Sequence, residues 1–466
     1  MLDDQLIPDA PRPLLRSLGV AGVLFLTLSV TSPASSVFVI VPGMLRAAGT
    51  GAVWAMILAG LVCVATAFIY AELSSAWPVT GGEYVAVTHT LGPLAGFVML
   101  GVNVFNNLFF PPAIALGVSA LLSGLIPGLA PVPVAMAVVA SATLVALLQI
   151  RVNALVTGIF LLVEVIALAV VVWLGFGSAI RSSLALLLQP VMTSGKALIP
   201  VDPASIGVAA TIAIFALNGY GAAVYFGEEM LDAPKRIARS ILWALGLTLI
   251  FEIVPLVAIL VSAPDLAATL ASDDPFGMMV RQRAGSTVSN LVAIAIVIAI
   301  VNAIIACVLA CARFFYSTAR DRCWGIPIDP LMAAIHPRLG SPWIATLIGG
   351  GIGTLCCLMP LQVLLVVSGT GLVAIYAGIS LAAIIGRHRG ITANAPYRMP
   401  LYPLAPIVTL TALAYIVWTS WLDVEEGRPG LIMTAAQVAL SIAYYWLVLR
   451  RRGTWTIGDP LNEGAR

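Results

Sequence analysis

Charge is what this 466-residue sequence has least of. Asp, Glu, Lys and Arg together make 9% of the residues, and only Lys196 and Lys235 are lysines. Apolar residues make 61%, and the mean hydropathy is +1.05. Because soluble domains carry about 25% charged residues, this composition excludes that class and indicates a membrane protein with many spans. Since the basic residues form no patch with interleaved aromatics, we expect a lipid bilayer but no nucleic acid as partner.

Side chains that perform covalent or metal chemistry are also scarce. The three histidines (His89, His336 and His388) lie far apart in the sequence, and the six cysteines lie in or beside hydrophobic runs. No grouping of residues resembles a metal site or a nucleophilic triad. The sequence therefore predicts no enzyme, no metal and no cofactor.

Long uncharged windows dominate the rest of the chain. A bilayer span needs about 20 apolar residues. Residues 90–150 and 339–386 each contain no Asp, Glu, Lys or Arg, and each is long enough for two helices. The windows predict twelve spans at about 17–45, 48–76, 90–150 (two), 153–178, 204–228, 239–262, 286–316, 339–386 (two), 402–422 and 429–449.

The distribution of basic residues predicts the orientation. Twelve spans place both termini on one side, and 17 of the 23 Lys and Arg residues fall in the loops and tails of that side. Basic residues concentrate on the cytoplasmic side of membrane proteins. We therefore expect cytoplasmic tails at 1–16 and 450–466.

Two spans are interrupted at their middle by helix breakers. The first carries Pro33 within the serine-rich stretch 29–38, and the sixth carries Asn218-Gly219-Tyr220-Gly221. Breaks five spans apart indicate an inverted repeat with a site at the breaks. The predicted fold is an all-α membrane protein with repeats 17–180 and 203–386, discontinuous helices 1 and 6, and two further helices in 399–449. The alternative is that these small residues only allow close helix packing.

A broken membrane helix offers groups that match both ends of an amino acid. After Pro33, free N–H groups at Ala34, Ser35 and Ser36 would favour a carboxylate. Unwound carbonyls around Ser32 and 215–218 would favour an ammonium group.

Four motifs give the chain a resemblance to a known family. They read YAELSSAWPVTGGEYVAV (70–87), EEMLDAPKRIARSI (228–241), ARFFYSTARDR (312–322) with HPRLGSPWIA (336–345), and APYRMPLYPLAPI (395–407). Together they resemble the signatures of the amino acid–polyamine–organocation superfamily, in a bacterial member. The resemblance implies the five-plus-five fold, alternating access, amino-acid-like substrates and the bacterial cytoplasmic membrane.

The resemblance also carries the family's break residues onto this chain. Its segment-one break falls on 34–38, with serines where many relatives have glycines, and its segment-six Phe-Ala-Tyr-x-Gly falls on 215–219, with Leu217 replacing the tyrosine. Asn103 and Asn107 lie on one face of segment three, where helix packing is the alternative role. The candidate substrate-binding residues are Ser32, Ala34, Ser35, Ser36, Phe215, Ala216, Asn218, Gly219, Tyr220, Asn103 and Asn107.

Two acids lie at membrane depth, where an ionisable group is a functional hypothesis by default. Glu164 is mid-span in segment five, where some relatives place a lysine beside the first break; Glu252 is mid-span in segment seven beside Pro255. Each could instead bond a backbone carbonyl. A sodium site would need hydroxyls from segment eight, which offers only Asn302 at mid-membrane. We therefore expect a proton, rather than sodium, at a coupling site of Glu164, Asn302 and Glu252.

The residues favour a secondary transporter that moves an amino acid or related amine by alternating access, as a proton symporter. An obligatory amino acid or polyamine exchanger is the alternative, in which Glu164 is structural. A membrane substrate sensor is an alternative of a different class, but the tails are short for a signalling domain. The oligomeric state stays open.

Overall fold

A computed structural model describes residues 14–125, 128–195, 197–453 and 455–457 of the chain. Over these residues the fold is helical apart from one β-hairpin. Most of the predicted tails 1–16 and 450–466 lies outside the described residues.

The first predicted span is a broken helix, as expected. Helix α1 (Val20–Thr31) ends before Pro33, because proline lacks an N–H and clashes with the preceding turn. A short helix α2 (Pro33–Ser35), a π-helical turn (Ser36–Ile40) and α3 (Val41–Ala48) follow.

The remaining elements continue in chain order. They are α4 (Ala52–Ala76), α5 (Glu83–Leu91), α6 (Pro93–Leu125), α7 (Pro131–Ala146), α8 (Ile150–Gly177), α9 (Ser183–Leu188), β1 (Val191–Ser194), β2 (Ala197–Pro200), α10 (Pro203–Ala216), a 3₁₀ stretch (Tyr220–Glu229), α11 (Ala233–Ser262), α12 (Leu266–Ala271), α13 (Pro275–Arg320), α14 (Ile328–Met332), α15 (Trp343–Cys356), α16 (Leu361–His388), α17 (Leu404–Leu422), α18 (Gly427–Tyr444), a π-helical turn (Tyr445–Leu449) and α19 (Arg450–Arg452).

Nine helical stretches of the described chain are long and apolar enough to cross a bilayer. One of them, Val20–Ala76, has 57 residues and contains both the broken first segment and α4. Two further apolar helices, α7 and α15, have 16 and 14 residues and are shorter than a usual span.

Helix α8 has one exposed apolar face and one buried face. Leu155, Ile159, Leu162 and Ile166 recur at helical spacing and are exposed, whereas Glu164 is fully buried on the other face. A helix that is apolar all round suits a protein core or lipid. Since the exposed face is apolar and the acid points into the protein, α8 has the surface of a lipid-facing helix.

Three local features differ from the sequence predictions. The expected span 286–316 is part of the longer α13, which bends at Gly285 (φ 82°). Helix α5 begins within the motif 70–87 and is not one of the predicted spans, and the hairpin β1–β2 pairs Val191 with Pro200 where no strand is predicted.

Candidate substrate site at two helix breaks

The first break places a helix N-terminus inside the protein. Ser32 adopts the left-handed conformation (φ 43°, ψ 72°), and Pro33 opens α2 as its first residue. Proline suits this position because the N–H it lacks would have no intrahelical partner. The chain then continues as helix through α3, so the N–H groups after Pro33 begin a half-helix.

Glu164 caps this half-helix. The Ala34 N–H donates to Glu164 Oε1 over 2.7 Å, and the Ser32 hydroxyl donates to the same oxygen over 3.4 Å. A helix N-terminus stabilises negative charge. Glu164 Oε2 is buried and has no hydrogen-bond partner among the described residues.

The prediction of three free N–H groups at the first break is therefore wrong for two of them. Glu164 accepts from Ala34, and the Ser36 N–H donates to Ser32 O over 3.1 Å because the chain resumes helical turns at once.

The second break approaches the first through a glycine. Helix α10 ends at Ala216, and Gly219 has a φ of 122°, which L side chains rarely adopt. A Cβ on residue 219 would also lie 2.9 Å from the backbone nitrogen of Thr31. The Ser36 hydroxyl donates to Ala216 O over 3.0 Å and joins the two breaks directly. The two interrupted helices therefore meet.

A cavity of about 150 Å³, called here the serine cavity, opens where the breaks meet. The predicted substrate residues that line it are Ser32, Ser35, Ser36, Phe215, Ala216 and Asn218. Most of the remaining lining is apolar and includes Phe110, Ile300 and Leu361. The serine cavity thus combines hydroxyl groups at one break with an apolar wall.

A second cavity of about 70 Å³, called here the glutamate cavity, contains Glu83 in its wall. Three predicted substrate residues line it: Asn107, Asn218 and Gly219. Asn218 also lines the serine cavity, and its Oδ1 accepts from the Tyr376 hydroxyl over 2.9 Å. Asn218 therefore lies between the two cavities.

Three predicted substrate residues line neither cavity. Ala34 contacts Glu164, as described above. Asn103 is buried and donates through Nδ2 to Glu83 Oε2 over 3.3 Å. Tyr220 is buried with its ring edge-on to Tyr70, at 6.1 Å between centroids. These residues support the cavities rather than form their surfaces.

The three predicted coupling residues, Glu164, Asn302 and Glu252, form no hydrogen bonds with one another. Asn302 donates to Ser29 Oγ over 2.9 Å and to the Thr157 carbonyl over 3.2 Å, and has no bond to Glu164. Glu252 is fully buried, and neither of its carboxyl oxygens has a hydrogen-bond partner in the described part of the chain. The bond from Glu252 to a carbonyl freed by Pro255 is therefore not formed.

Comparison with known proteins gives the family. The family model described as amino acid permease matches residues 18–448. The chain belongs to the amino acid permease family. It is an integral membrane transporter and not an enzyme, and the superfamily resemblance of its motifs is confirmed.

Three relatives are similar to this permease over most of their length. An uncharacterized transporter of Mycobacterium tuberculosis is 27% identical, covering 98% of this chain and 97% of the relative. The methylthioribose transporter of Bacillus subtilis is 24% identical over 81% of this chain and 86% of the relative. The branched-chain amino acid permease of Bacillus subtilis is 22% identical, covering 91% and 92%.

The family motifs of this permease meet in buried ion pairs. Arg313 donates from Nε and Nη2 to the two carboxylate oxygens of Glu229 over 3.0 and 3.1 Å, and both side chains are buried. Arg320 contacts both oxygens of Glu228 over 2.7 and 2.8 Å. The Ser17 N–H donates to the Glu229 carbonyl, so the start of the broken helix is tied to these pairs. We call the region around the ion pairs of Glu228 and Glu229 the motif end.

Glu72 joins two helices at the motif end. Arg387 donates to its two carboxylate oxygens over 2.7 and 2.5 Å. Thr392 Oγ1 and the Met399 N–H complete its bonds, over 3.2 and 2.8 Å. Since Arg387 lies in the last turn of α16, the carboxylate joins α4 to the chain before α17.

Glu83 is the residue of this site that the sequence prediction missed. It lies within the motif 70–87, and the resemblance of this motif to a family signature does not indicate that Glu83 is buried. Its signal was an acid flanked by glycines and an apolar run, which is also common in solvated loops. Because its partners come from distant helices, the sequence alone gave no reason to place it in a cavity.

Proposed function

We propose that this permease is a proton-coupled secondary transporter of an amino acid or related amine, working by alternating access. The observation that carries the proposal is the bond from the Ala34 N–H to Glu164. A carboxyl group that caps a half-helix inside the membrane can change the charge of the site by taking up one proton. Intramembrane acids in such positions are typical of proton relays.

The proposed topology has twelve spans. In this proposal the first repeat covers 17–180, the second covers 203–386, and two further helices lie in 399–449. The matching breaks at Ser32 and Gly219 support the inverted repeat, since discontinuous helices at corresponding positions are its usual sign. The excess of Arg and Lys on one side supports cytoplasmic termini in a bacterial inner membrane.

The serine cavity is the proposed substrate site. Hydroxyl groups of Ser35 and Ser36 and the amide of Asn218 would orient the polar end of the substrate, while Phe215 and its apolar neighbours would face its side chain. The wall favours an uncharged side chain, because burying a charge without a partner is costly. A branched-chain amino acid permease among the relatives is consistent with this choice.

Coupling would arise from competition at the half-helix N-terminus. An ionised Glu164 and a substrate carboxylate would repel each other if both approached the N–H groups after Pro33. Protonation of Glu164 removes that repulsion and leaves the half-helix free to attract the substrate. Proton binding therefore precedes or accompanies substrate binding, which is the requirement for symport.

A proton fits these contacts better than sodium. A hard cation seeks several oxygen ligands. Ser29 already accepts a bond from Asn302, and the Ser32 hydroxyl points toward both Glu164 and the Ala299 carbonyl, over 3.4 Å each.

Uptake into proteoliposomes tests the proposal. A panel of labelled amino acids and amines is offered with an inward proton gradient, an inward sodium gradient, or internal substrate only, to wild type and Glu164→Gln. The proposal predicts proton-driven accumulation in wild type that Glu164→Gln loses, while exchange persists in the variant as a control for folding. Uptake that needs internal substrate and ignores both the gradient and the substitution would instead identify an exchanger.

A further inference from the structure

Glu83 lies buried at the start of a helix. It is the first residue of α5, after Gly82, whose φ is 61° and whose Cβ position is closed by the Val224 side chain at 2.5 Å. The side chain of Glu83 is nearly inaccessible, at 5% exposure. The tight glycine turn therefore directs an acidic residue into the protein.

Three side chains donate hydrogen bonds to this carboxylate. The Tyr70 hydroxyl donates to Oε1 over 2.9 Å, and the Tyr225 hydroxyl and Asn103 Nδ2 donate to Oε2 over 3.0 and 3.3 Å. Donors of this kind stabilise the charged form of a carboxyl group. The three donors come from α4, α6 and the 3₁₀ stretch, so several helices converge on one carboxyl group.

No cation balances Glu83 within the protein. Among residues 14–125, 128–195, 197–453 and 455–457, no Lys, Arg or His forms an ion pair with it. Buried charges are normally paired. Glu83 instead lines the glutamate cavity of about 70 Å³.

The remaining acceptors suit an ammonium group rather than a metal ion. A carboxylate offers about four lone-pair positions, and three of them are used, whereas a calcium-type site needs six or more oxygens. A primary ammonium needs only three acceptors. Glu83 lines the cavity, and Asn106 also lines it and offers an amide oxygen there. The side-chain amide oxygen of Asn218, which accepts from Tyr376, is the third candidate.

We propose that the glutamate cavity is a binding site for the primary ammonium group of a transported molecule, with Glu83 as its counter-ion. The proposal rests on the proposed function only in taking the ammonium from the transported substrate. Because Asn218 borders both cavities, an ammonium group that leaves the serine cavity would reach Glu83 next. In this proposal the glutamate cavity holds the head group while the rest of the molecule stays near Asn218.

Ligand protection of the purified full-length protein tests this site without a transport assay. Thermal unfolding in detergent is followed with methylammonium chloride, tetramethylammonium chloride or sodium chloride at equal ionic strength. We expect a saturable rise in unfolding temperature with methylammonium only, because tetramethylammonium has no N–H donors. The rise is lost in Glu83→Gln and kept in Glu72→Gln, which removes a buried carboxyl that is paired with Arg387 instead of lining a cavity.

A cavity-filling variant covers the case in which Glu83→Gln does not fold. Cys307 lines the glutamate cavity without any bond to Glu83, so Cys307→Leu should abolish the methylammonium effect while all acids remain. Equal protection by tetramethylammonium, protection that survives Glu83→Gln or Cys307→Leu, or no protection of wild type would overturn the site. Loss only in Glu164→Gln would move the ammonium to the first break. Since this readout is binding, absent proton-driven uptake with intact protection would count against the proposed function alone.

Discussion

The buried glutamates of this permease fall into two sets with opposite surroundings. The paired set at the motif end is neutralised by arginine: Glu72 by Arg387, Glu228 by Arg320 and Glu229 by Arg313. The cation-free set has no basic partner in the described residues: Glu83, Glu164 and Glu252.

This difference separates holding the fold together from acting on a ligand. A carboxylate with two bonds from an arginine has its charge satisfied and fixes one helix against another. A buried carboxylate without a cation is unfavourable, and binding a proton or an ammonium group would neutralise it. Burial alone therefore does not identify a functional acid, whereas burial without a cation beside a break or a cavity does.

The largest effect is expected from breaking a pair of the first set. Arg313→Ala leaves Glu229 as an uncompensated buried charge, which costs about 3–5 kcal/mol of folding free energy. Reversible unfolding in mixed micelles would measure the loss. Arg313→Lys is the control, since it keeps the positive charge but not the two hydrogen bonds to Glu229. It should lose less folding free energy than Arg313→Ala. Equal stability of wild type and Arg313→Ala would remove the distinction between the two sets.

A smaller loss is expected at Glu72 in the paired set. Glu72→Gln keeps the size of the side chain but weakens four hydrogen bonds, two of them from Arg387. Hydrogen bonds to charged groups contribute about 1.5–3 kcal/mol, so the same unfolding assay should show a loss in that range. No measurable loss would mean that Arg387 finds another partner.

The cation-free set should respond to pH where the paired set does not. In wild type, substrate affinity should rise as the pH falls, by up to about tenfold per unit, because one proton on Glu164 removes one repelling charge. Glu164→Gln should bind with an affinity that is flat with pH and close to the wild-type value at low pH. Binding titrations of the substrate found in the uptake panel, at pH 5 to 8, would check this, with Glu72→Gln as the control that keeps the slope.

The smallest stability change is expected at Glu252. Both of its oxygens lack partners, so Glu252→Gln removes no hydrogen bond that the described residues make. Replacing an unpaired buried acid by a neutral isostere should alter the free energy of unfolding by no more than about 1 kcal/mol, or stabilise the protein. A loss as large as that of Arg313→Ala would place Glu252 in a hidden ion pair and move it to the first set.

Local chemistry explains what the sequence could predict. Pro33 lacks an N–H and disfavours the helix before it, and Gly219 permits a backbone angle that other residues rarely adopt, so the residues at each break predict the break. Glu164 stood out because an acid within an apolar run must face the protein interior. Its bond to Ala34 could not be read, because the two residues are 130 positions apart.

Long-range contacts explain what the sequence could not show. Ser36 reaches Ala216 across 180 positions, and Glu72 reaches Arg387 across 315. The carboxyl group of Glu83 accepts hydrogen bonds from Tyr70, Asn103 and Tyr225, none of which is adjacent to it in sequence. Helix α5 is nine residues long between glycines, so its hydrophobic pattern was too short to distinguish from a loop.

Proton movement tests the central claim most directly. Proteoliposomes loaded with a pH-sensitive dye would receive the transported substrate from outside, with no imposed proton gradient. The account predicts that substrate acidifies the lumen in wild type and that Glu164→Gln still exchanges labelled substrate without acidification. Equal acidification by Glu164→Gln and wild type would contradict Glu164 as the proton carrier.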